Sequence, residues 1–311
     1  MAKPDQKRSA LTIVSDIFIL AGNVIKFAFI AFLALFFLGA LGASLGEELK
    51  RGNVAVIPIR GLITNSGDSF EATTGAEDVI ELIDEAEEND EISAILLDVD
   101  SPGGTPVATD MIASRISRAN KTVVAVIGET GASGAYWIST ATDKIYANKM
   151  SVTGSIGVQA SRLEFGGLLA DYNVTYRRLV AGKYKDVGTP LREMTTEEQR
   201  MYQHILDDLH EEFISTVATN RGLDKEYVRN LSTGFVYLGS EAKRLGLIDE
   251  IGGEKEALDY LSTSLNITAE PVDYEKPKTF FEELAGVTAN GFYQIGRGLG
   301  ANVEGPKVSF T

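Results

Sequence analysis

The feature that most constrains this chain is an alternation, from residue 54 onwards, between short apolar runs and longer amphipathic runs. This alternation is typical of an α/β domain. Pro58 lies in the first apolar run and cannot donate to a sheet ladder, which predicts that this strand lies at a sheet edge. The predicted strands cover residues 54–59, 92–99, 122–127, 144–147, 152–158 and 174–180, and the predicted helices cover 76–88, 107–118, 133–141, 195–221, 225–231, 240–245 and 255–265.

An uncharged and almost wholly apolar run from Phe27 to Leu45 precedes this domain. It has about the length that a helix needs to cross the hydrocarbon core of a bilayer. Basic residues are more frequent on its N-terminal side, so the positive-inside rule places the N-terminus in the cytoplasm and the main domain outside it. We therefore expect a single-pass protein of the cell membrane. A cleaved signal peptide and a buried core helix are the alternatives.

These features divide the chain into five parts. They are a cytoplasmic segment (1–26), a transmembrane anchor (27–45), a linker (46–52), a main domain (53–270) and a C-terminal tail (271–311). Apolar residues of the tail recur at roughly helical spacing from Phe280 and are interrupted by glycines, which predicts a weak helix. Two interpretations of the tail stay open. It either docks on the body or is partly disordered, or else it contacts the membrane, a neighbouring subunit or the active-site cleft, where it would regulate access.

Charge and composition exclude several classes of function. A net charge of −15 repels phosphate backbones and makes nucleic acid an improbable partner. The absence of cysteine removes thiol nucleophiles, disulfides and thiolate metal sites. The two histidines, His204 and His210, are the sole candidates for a Ser-His-Asp or zinc site, and both fall inside one predicted helix where a structural or surface role is expected.

A serine lies between a predicted strand and a predicted helix, in the segment GETGASGAY that contains Ser133. Small neighbours allow a sharp turn, and the N-terminus of the helix offers free N–H groups and a positive dipole end to a developing oxyanion. A helix cap or a tight turn would explain the same pattern. Ser133 is thus a candidate nucleophile on this evidence, and no more than that.

Two glycines follow a proline at the end of another predicted strand, in the segment DSPGG that ends at Gly104. Their N–H groups are able to point into a cleft, as those of an oxyanion hole do. The alternative is an ordinary strand-to-helix turn.

A serine nucleophile needs a base that is neutral near pH 7. A lysine serves when burial disfavours its charged form. The segment AGKYKD holds two candidates, Lys183 and Lys185, and periodicity does not choose between them.

Taken in order, these segments resemble the signal peptide peptidase A family of Ser-Lys proteases. The similarity covers about 54–253 and rests on VAVIPIRGLI, DSPGG, GASGAYWISTATDKIYAN, TGSIGV, GKYKD and REMTTEEQ. It implies the ββα spiral of the Clp protease proteolytic subunit and of crotonases, with Ser133 as nucleophile and Lys185 as base. Gly104 and Gly134 would form the oxyanion hole, and Ser155 would orient the lysine. Ala135 departs from the Gly-Gly that relatives often have after the nucleophile.

The resemblance also implies partners. No metal or cofactor is needed, and the substrates would be remnant signal peptides or other membrane-associated polypeptides. Members of this length would assemble as homo-oligomers, and two arrangements stay open: Ser and Lys of one site from the same chain, or from adjacent protomers. Competing interpretations are a membrane protease of the nodulation-formation-efficiency-D (NfeD) type that cleaves one partner, a crotonase-like acyl-CoA-binding protein, an α/β-hydrolase and an inactive membrane scaffold.

Overall fold

The computed structural model describes residues 52–67 and 73–276, together with positions 19–20, 22–27, 29–34 and 37. The chain divides into two units, residues 1–51 and 52–311. In the first unit the described positions are helical. Among the described residues, no helix combines the length and hydropathy that spanning a bilayer requires. Part of the predicted anchor 27–45, and the tail helix predicted from residue 280, lie outside the described residues.

The second unit is built on one sheet, which confirms the predicted α/β class. Six strands follow each other in the order β2-β1-β3-β4-β5-β8, and every described pairing is parallel except that of β6 with β7. The strands are β1 (Val54–Thr64), β2 (Thr73–Gly75), β3 (Ala94–Gly104), β4 (Thr122–Ala132), β5 (Lys144–Ala147), β6 (Val152–Gly154), β7 (Val236–Leu238), β8 (Glu250–Ile251) and β9 (Pro271–Asp273).

Successive side chains of a strand point to opposite faces of the sheet, so both faces here carry apolar side chains. Helices cover both of these faces. On β1, Ala55, Ile57 and Ile59 join the larger apolar core, whereas Val54 packs in the smaller core with Leu261. The helices are α1 (Ala76–Glu88), α2 (Pro106–Ile116), α3 (Gly134–Thr140), α4 (Gly166–Asp171), α5 (Thr196–Arg221), α6 (Lys225–Leu231), α7 (Gly239–Arg244) and α8 (Glu254–Leu265).

The long helix α5 begins as its sequence predicts. The Thr195 side chain accepts from the Glu198 N–H, and the Glu198 carboxylate accepts from the Thr195 N–H, which is a capping box. The helix ends at Gly222, whose φ of 62° is left-handed. Its buried apolar residues lie in the C-terminal half, where the Phe213 ring is 4.8 Å from the Trp137 ring of α3. The N-terminal half of α5 is mostly exposed.

Two predictions about the sheet are wrong. The predicted strand 174–180 does not form, and its residues are mostly exposed, with Leu179 95% exposed. A strand needs a paired neighbour to satisfy its backbone groups, and apolar composition alone supplies none. Nor does β1 lie at the edge, since it pairs with β3 on one side and with β9 and β2 on the other. On that outer side the β9 pairing ends at Val56 and the β2 pairing begins at Leu62, so Pro58 lies in the gap, where no N–H is required.

Residues 159–195, here called the arm, differ from the rest of the second unit. Apart from α4 they form turns and irregular backbone, and Glu198 is the first buried residue beyond them. Their exposed apolar side chains include Leu163, Leu168, Tyr172, Val174 and Leu179. Three strands that precede the arm, β1, β3 and β4, each continue about five residues past the predicted end, whereas the predicted strand 152–158 forms only over Val152–Gly154.

Candidate active site

Ser133 occupies a strained position between β4 and α3. Its φ of 53° and ψ of −122° lie in a region that non-glycine residues rarely adopt, and such strain is typical of functional turns. Two backbone bonds hold it there: its N–H donates to the Gly154 carbonyl at 2.8 Å, and its carbonyl accepts from the Trp137 N–H at 3.0 Å. The local sequence permits this turn because alanine and glycine flank the serine.

Gly103, Gly104 and Gly134 pack closely around this turn. A Cβ on Gly104 would lie 1.9 Å from the Ile63 carbonyl oxygen, and a Cβ on Gly134 would lie 3.1 Å from the Gly104 nitrogen. A Cβ on Gly103, whose φ is 106°, would lie 2.7 Å from the Gly134 nitrogen. The two backbone segments therefore approach as closely as they do only because side chains are absent.

The two predicted oxyanion donors lie at the end of β3 and at the start of α3. The Thr105 N–H donates to the Ile63 carbonyl at 2.9 Å. The Ile63 carbonyl is therefore bonded to the residue after Gly104 and not to Gly104 itself. The Gly134 N–H is the first of α3 and has no acceptor within the helix. Two adjacent donors beside a serine suit the negative oxygen of a tetrahedral acyl intermediate.

A cavity of about 720 Å³ opens in front of this constellation. Ser133, Gly104 and Gly134 line it, and Leu62, Trp137 and Phe213 give it an apolar wall. Its size and mixed lining suit a peptide segment with apolar side chains.

Two side chains that support the glycine loop were not singled out from the sequence. Ser101 is fully buried, and its hydroxyl donates to the Gly61 carbonyl at 2.6 Å and accepts from the Gly103 N–H at 3.1 Å. Asp100 accepts from the Thr130 N–H at 3.0 Å, which joins the ends of β3 and β4. Their place directly before Pro-Gly-Gly was the available signal, because short polar side chains there bond to nearby backbone.

Ser155 lies on the same cavity as Ser133. It has a positive φ of 50°, its N–H donates to the Phe235 carbonyl at 3.0 Å, and its hydroxyl donates to the Gly234 carbonyl at 3.2 Å. The end of β6 thus holds both serines, since Gly154 bonds to Ser133 and Ser155 follows it.

The structure does not bring Lys185 to this cavity within one chain. Lys185 is exposed on a turn of the arm and is absent from the cavity lining. The other candidate, Lys183, pairs with Glu197 at 2.9 Å, and hydrogen bonding with the Tyr184 side chain, followed by that with the Glu197 carboxylate, raises the pKa of this lysine. A raised pKa opposes a role as general base, so the contacts of Lys183 disfavour it as the base.

One histidine reaches the cavity. His210 lines it, half-buried, and its Nε2 is buried without a hydrogen-bond partner among the described residues. His204 is exposed, with Nε2 3.7 Å from Asp208. The expected surface or structural role thus fits His204, whereas His210 contributes to the wall beside Phe213. In the part of the chain that the structure describes, no three His, Asp or Glu side chains cluster as metal ligands.

Comparison with known proteins connects this geometry to a family. The sequence signature of peptidase family S49 matches residues 115–268. The chain is 36% identical to a provisionally named protease of Methanocaldococcus jannaschii over 78% of each protein. It is 30% identical to a provisionally named signal peptide peptidase SppA of Enterococcus faecium, covering 76% of this chain and 71% of the relative. Protease 4 of Haemophilus influenzae is 30% identical over 71% of this chain and 37% of that longer protein.

The family match includes Ser133, Ser155 and Lys185, and the relatives are named as proteases or peptidases. The crotonase-like, α/β-hydrolase and scaffold interpretations lose their support accordingly. The chain belongs to peptidase family S49, the signal peptide peptidase A family, and is a serine protease.

Proposed function

We propose that the chain is a membrane-anchored endopeptidase that cleaves remnant signal peptides or other membrane-associated polypeptides with a Ser133–Lys185 dyad. The observation that carries this is the strained Ser133, held at the N-terminus of α3 beside the N–H groups of Gly104 and Gly134. The apolar run 27–45 supports the anchor, and the apolar cavity wall supports apolar substrates. The parallel sheet with helices after its strands is compatible with a ββα spiral.

In the proposed mechanism, neutral Lys185 takes the proton of the Ser133 hydroxyl as Oγ attacks the scissile carbonyl carbon. The carbonyl oxygen becomes an oxyanion and accepts from Gly104 and Gly134. The intermediate collapses, the C–N bond breaks, and Lys185 returns the proton to the leaving amine. A water then hydrolyses the acyl-serine by the same steps. Ser155 would accept a hydrogen bond from the lysine and orient it.

A second copy of the chain would supply Lys185. Lys185 is exposed and is not among the residues that line the cavity of its own chain, and the arm that carries it bears exposed apolar residues such as Leu163, Tyr172 and Leu179. A partner that packs on these side chains would remove their apolar area from water. We therefore infer a homo-oligomer in which the arm of one protomer reaches the Ser133 cavity of the next.

Mixing of two inactive variants tests this. The full chain, purified in detergent, is assayed on an apolar reporter peptide as Ser133→Ala, as Lys185→Ala, and as a mixture refolded or exchanged together. Each variant alone should be inactive, and a random mixture should recover roughly a quarter of the sites, because each site then draws an intact serine and an intact lysine from different chains. A mixture with no recovery would place both residues in one chain.

His210 is the alternative base, because it lines the same cavity as Ser133. If Lys185→Ala stays active while His210→Ala does not, the dyad is wrong. Cleavage of one partner protein, with apolar reporter peptides and signal-peptide remnants left intact, would favour the NfeD-type alternative instead.

A further inference from the structure

The turn that carries Lys185 is compact and ordered by its own backbone. It lies between Gly182 and Gly188, both with positive φ (105° and 89°). The Lys185 N–H donates to the Gly182 carbonyl at 3.2 Å, and the Thr189 N–H donates to the Asp186 carbonyl at 3.0 Å. Such bonds shape the turn but do not fix its direction relative to the rest of the arm.

Asp186, the residue after Lys185, connects this turn to two arginines of the arm. Its carboxylate accepts from Arg178 Nε at 2.7 Å and pairs with Arg192 Nε at 3.3 Å. The Asp186 side chain is only 10% exposed although the arm around it is largely exposed. Arg178 also donates to the Lys183 carbonyl, which ties the opposite limb of the turn to the same guanidinium.

Arg192 carries the connection on to helix α5. Its guanidinium binds both oxygens of Glu198, at 2.7 and 2.8 Å. Glu198 is 5% exposed and accepts from the Thr195 N–H at 2.8 Å as part of the capping box. The Asp186, Arg192 and Glu198 side chains thus form a continuous link, here called the clamp, between the turn and the first turn of α5.

The charges of the clamp are mutually satisfied. Arg178 and Arg192 lower the pKa of Asp186, and the Arg192 guanidinium lowers that of Glu198 to about 2. On the outer side, Lys183 and Tyr184 both reach Glu197, with the Tyr184 hydroxyl at 2.5 Å. Among the described residues, the Lys185 ammonium takes part in no ion pair or hydrogen bond, although its neighbours Lys183, Tyr184 and Asp186 do.

We propose that Asp186, Arg192 and Glu198 are positioning residues that hold the turn so that Lys185 projects free towards a Ser133 site. This inference depends on the proposed role of Lys185. Side chains that fix a reacting group must themselves be held, and a misplacement of about 1 Å is able to cost about 100-fold in rate. A planar guanidinium that bridges two carboxylates supplies that rigidity, and a lysine would not.

The test measures kcat and KM separately in the full chain with Arg192→Met and Asp186→Asn. We expect kcat to fall by about 10- to 100-fold with KM unchanged, because substrate binding does not involve the clamp. Added methylamine should restore part of the kcat of both variants and of Lys185→Ala, since a free amine replaces a misplaced base. If the other variants do not fold, Arg178→Gln is the milder substitution, and it should lower kcat by a smaller factor.

Glu197→Gln is the matched control. It removes the exposed contacts of Lys183 and Tyr184 from the same helix and leaves the clamp intact, so kcat should stay within about twofold. Sedimentation of every variant reports assembly. If a clamp variant loses kcat only together with its oligomeric state, or keeps full kcat while Lys185→Ala is inactive, the positioning role is overturned and the dyad stands. If Lys185→Ala is itself fully active, the proposed function fails first.

Discussion

The nucleophile and the proposed base lie in regions that are stabilised by different interactions. Ser133 follows a strand whose residues Val123 to Ile127 are buried on both faces of the sheet, and backbone bonds to Gly154 and Trp137 hold its turn. Lys185 lies on an arm with no buried apolar residue, where Arg192 joins Asp186 of the arm to Glu198 of α5. Burial of apolar area is non-directional and strong, whereas ion pairs are directional and depend on pH and salt.

This difference would suit the proposed site, which two chains complete. In that proposal the cavity side would have to exist before a partner arrives, as a part of the core does. The arm would have to present a charged residue to solvent and then to a neighbour, which a hydrophobic contact within one chain would prevent. We therefore expect mutations to separate the two regions: core changes should affect folding, and arm changes should affect catalysis or assembly.

The largest expected effect is on stability, from Leu97→Ala. Leu97 is fully buried at the centre of β3, and its truncation should reduce the free energy of unfolding by about 2–5 kcal/mol. Leu179→Ala, at a leucine 95% exposed on the arm, should change it by no more than about 0.5 kcal/mol. Urea denaturation followed by circular dichroism measures both. Equal losses would mean that the arm belongs to the core.

Gly104→Ala should reduce kcat/KM by about 100- to 1,000-fold, because its Cβ would meet the Ile63 carbonyl oxygen at 1.9 Å and displace an oxyanion donor. The control is Gly167→Ala on α4 of the arm, where the new Cβ would meet nothing within 4 Å beyond its chain neighbours and the backbone of its own helix. That change should stabilise the helix by up to about 1 kcal/mol and leave activity unaltered. Steady-state kinetics of reporter-peptide cleavage measures kcat/KM of both variants. A fully active Gly104→Ala would argue against the oxyanion hole.

As the pH is lowered, the contacts of the arm should be lost at a higher pH than those of the sheet. Arg192 depresses the pKa of Glu198 from its ordinary value of 4.5 to about 2. A group with a depressed folded pKa contributes stability that is complete above the ordinary value and is lost as pH falls towards the folded value. Between pH 4.5 and 2, amides 178–198 should therefore lose hydrogen-exchange protection, corrected for intrinsic rates, while those of β3 and β4 keep theirs. Simultaneous loss in both regions would contradict the comparison.

The smallest effect is expected from an exposed ion pair on the body. Lys255 and Asp259 pair at 3.2 Å on α8 with side chains 82% and 69% exposed. Lys255→Ala should change stability by no more than about 0.5 kcal/mol and leave kcat intact, as exposed pairs of this spacing usually do. Comparison of Lys255→Ala with Arg192→Met distinguishes an exposed ion pair without a catalytic role from an ion pair that holds the turn of Lys185. A loss of kcat in Lys255→Ala would remove that distinction.

Much of the fold could be predicted because its determinants are local. The 3.6-residue period at Ala76–Glu88 and the Thr195–Glu198 capping box produced the observed helices, and the β-branched runs after Asn53 and Lys121 produced buried strands. The strand at 174–180 was wrong for the same reason, since a β-branched run says nothing about whether a neighbouring strand is available. Pro58 was misassigned to an edge because its gap exists only between β9 and β2, which are more than 190 residues apart in sequence.

For the candidate site, sequence identified the serine, the glycines and a choice of bases, because each has a chemical signature in its own segment. It did not identify Ser101, whose bonds join β3 to β1, nor the clamp, whose members belong to three separate segments of the arm and α5. Such contacts depend on how backbones approach each other in space.

By itself, then, the sequence determined which segments form the main helices and central strands, that Ser133 lies at a strand-to-helix turn among small residues, and that the chain belongs to a family of serine proteases. Only the tertiary structure decided that Gly104 and Gly134 meet beside Ser133, that Lys185 lies away from that cavity, and that Arg192 ties its turn to α5. The physical reason is one of range. Propensities and caps act over a few residues, whereas burial, oxyanion geometry and ion-pair networks depend on groups that the chain brings together from distant positions.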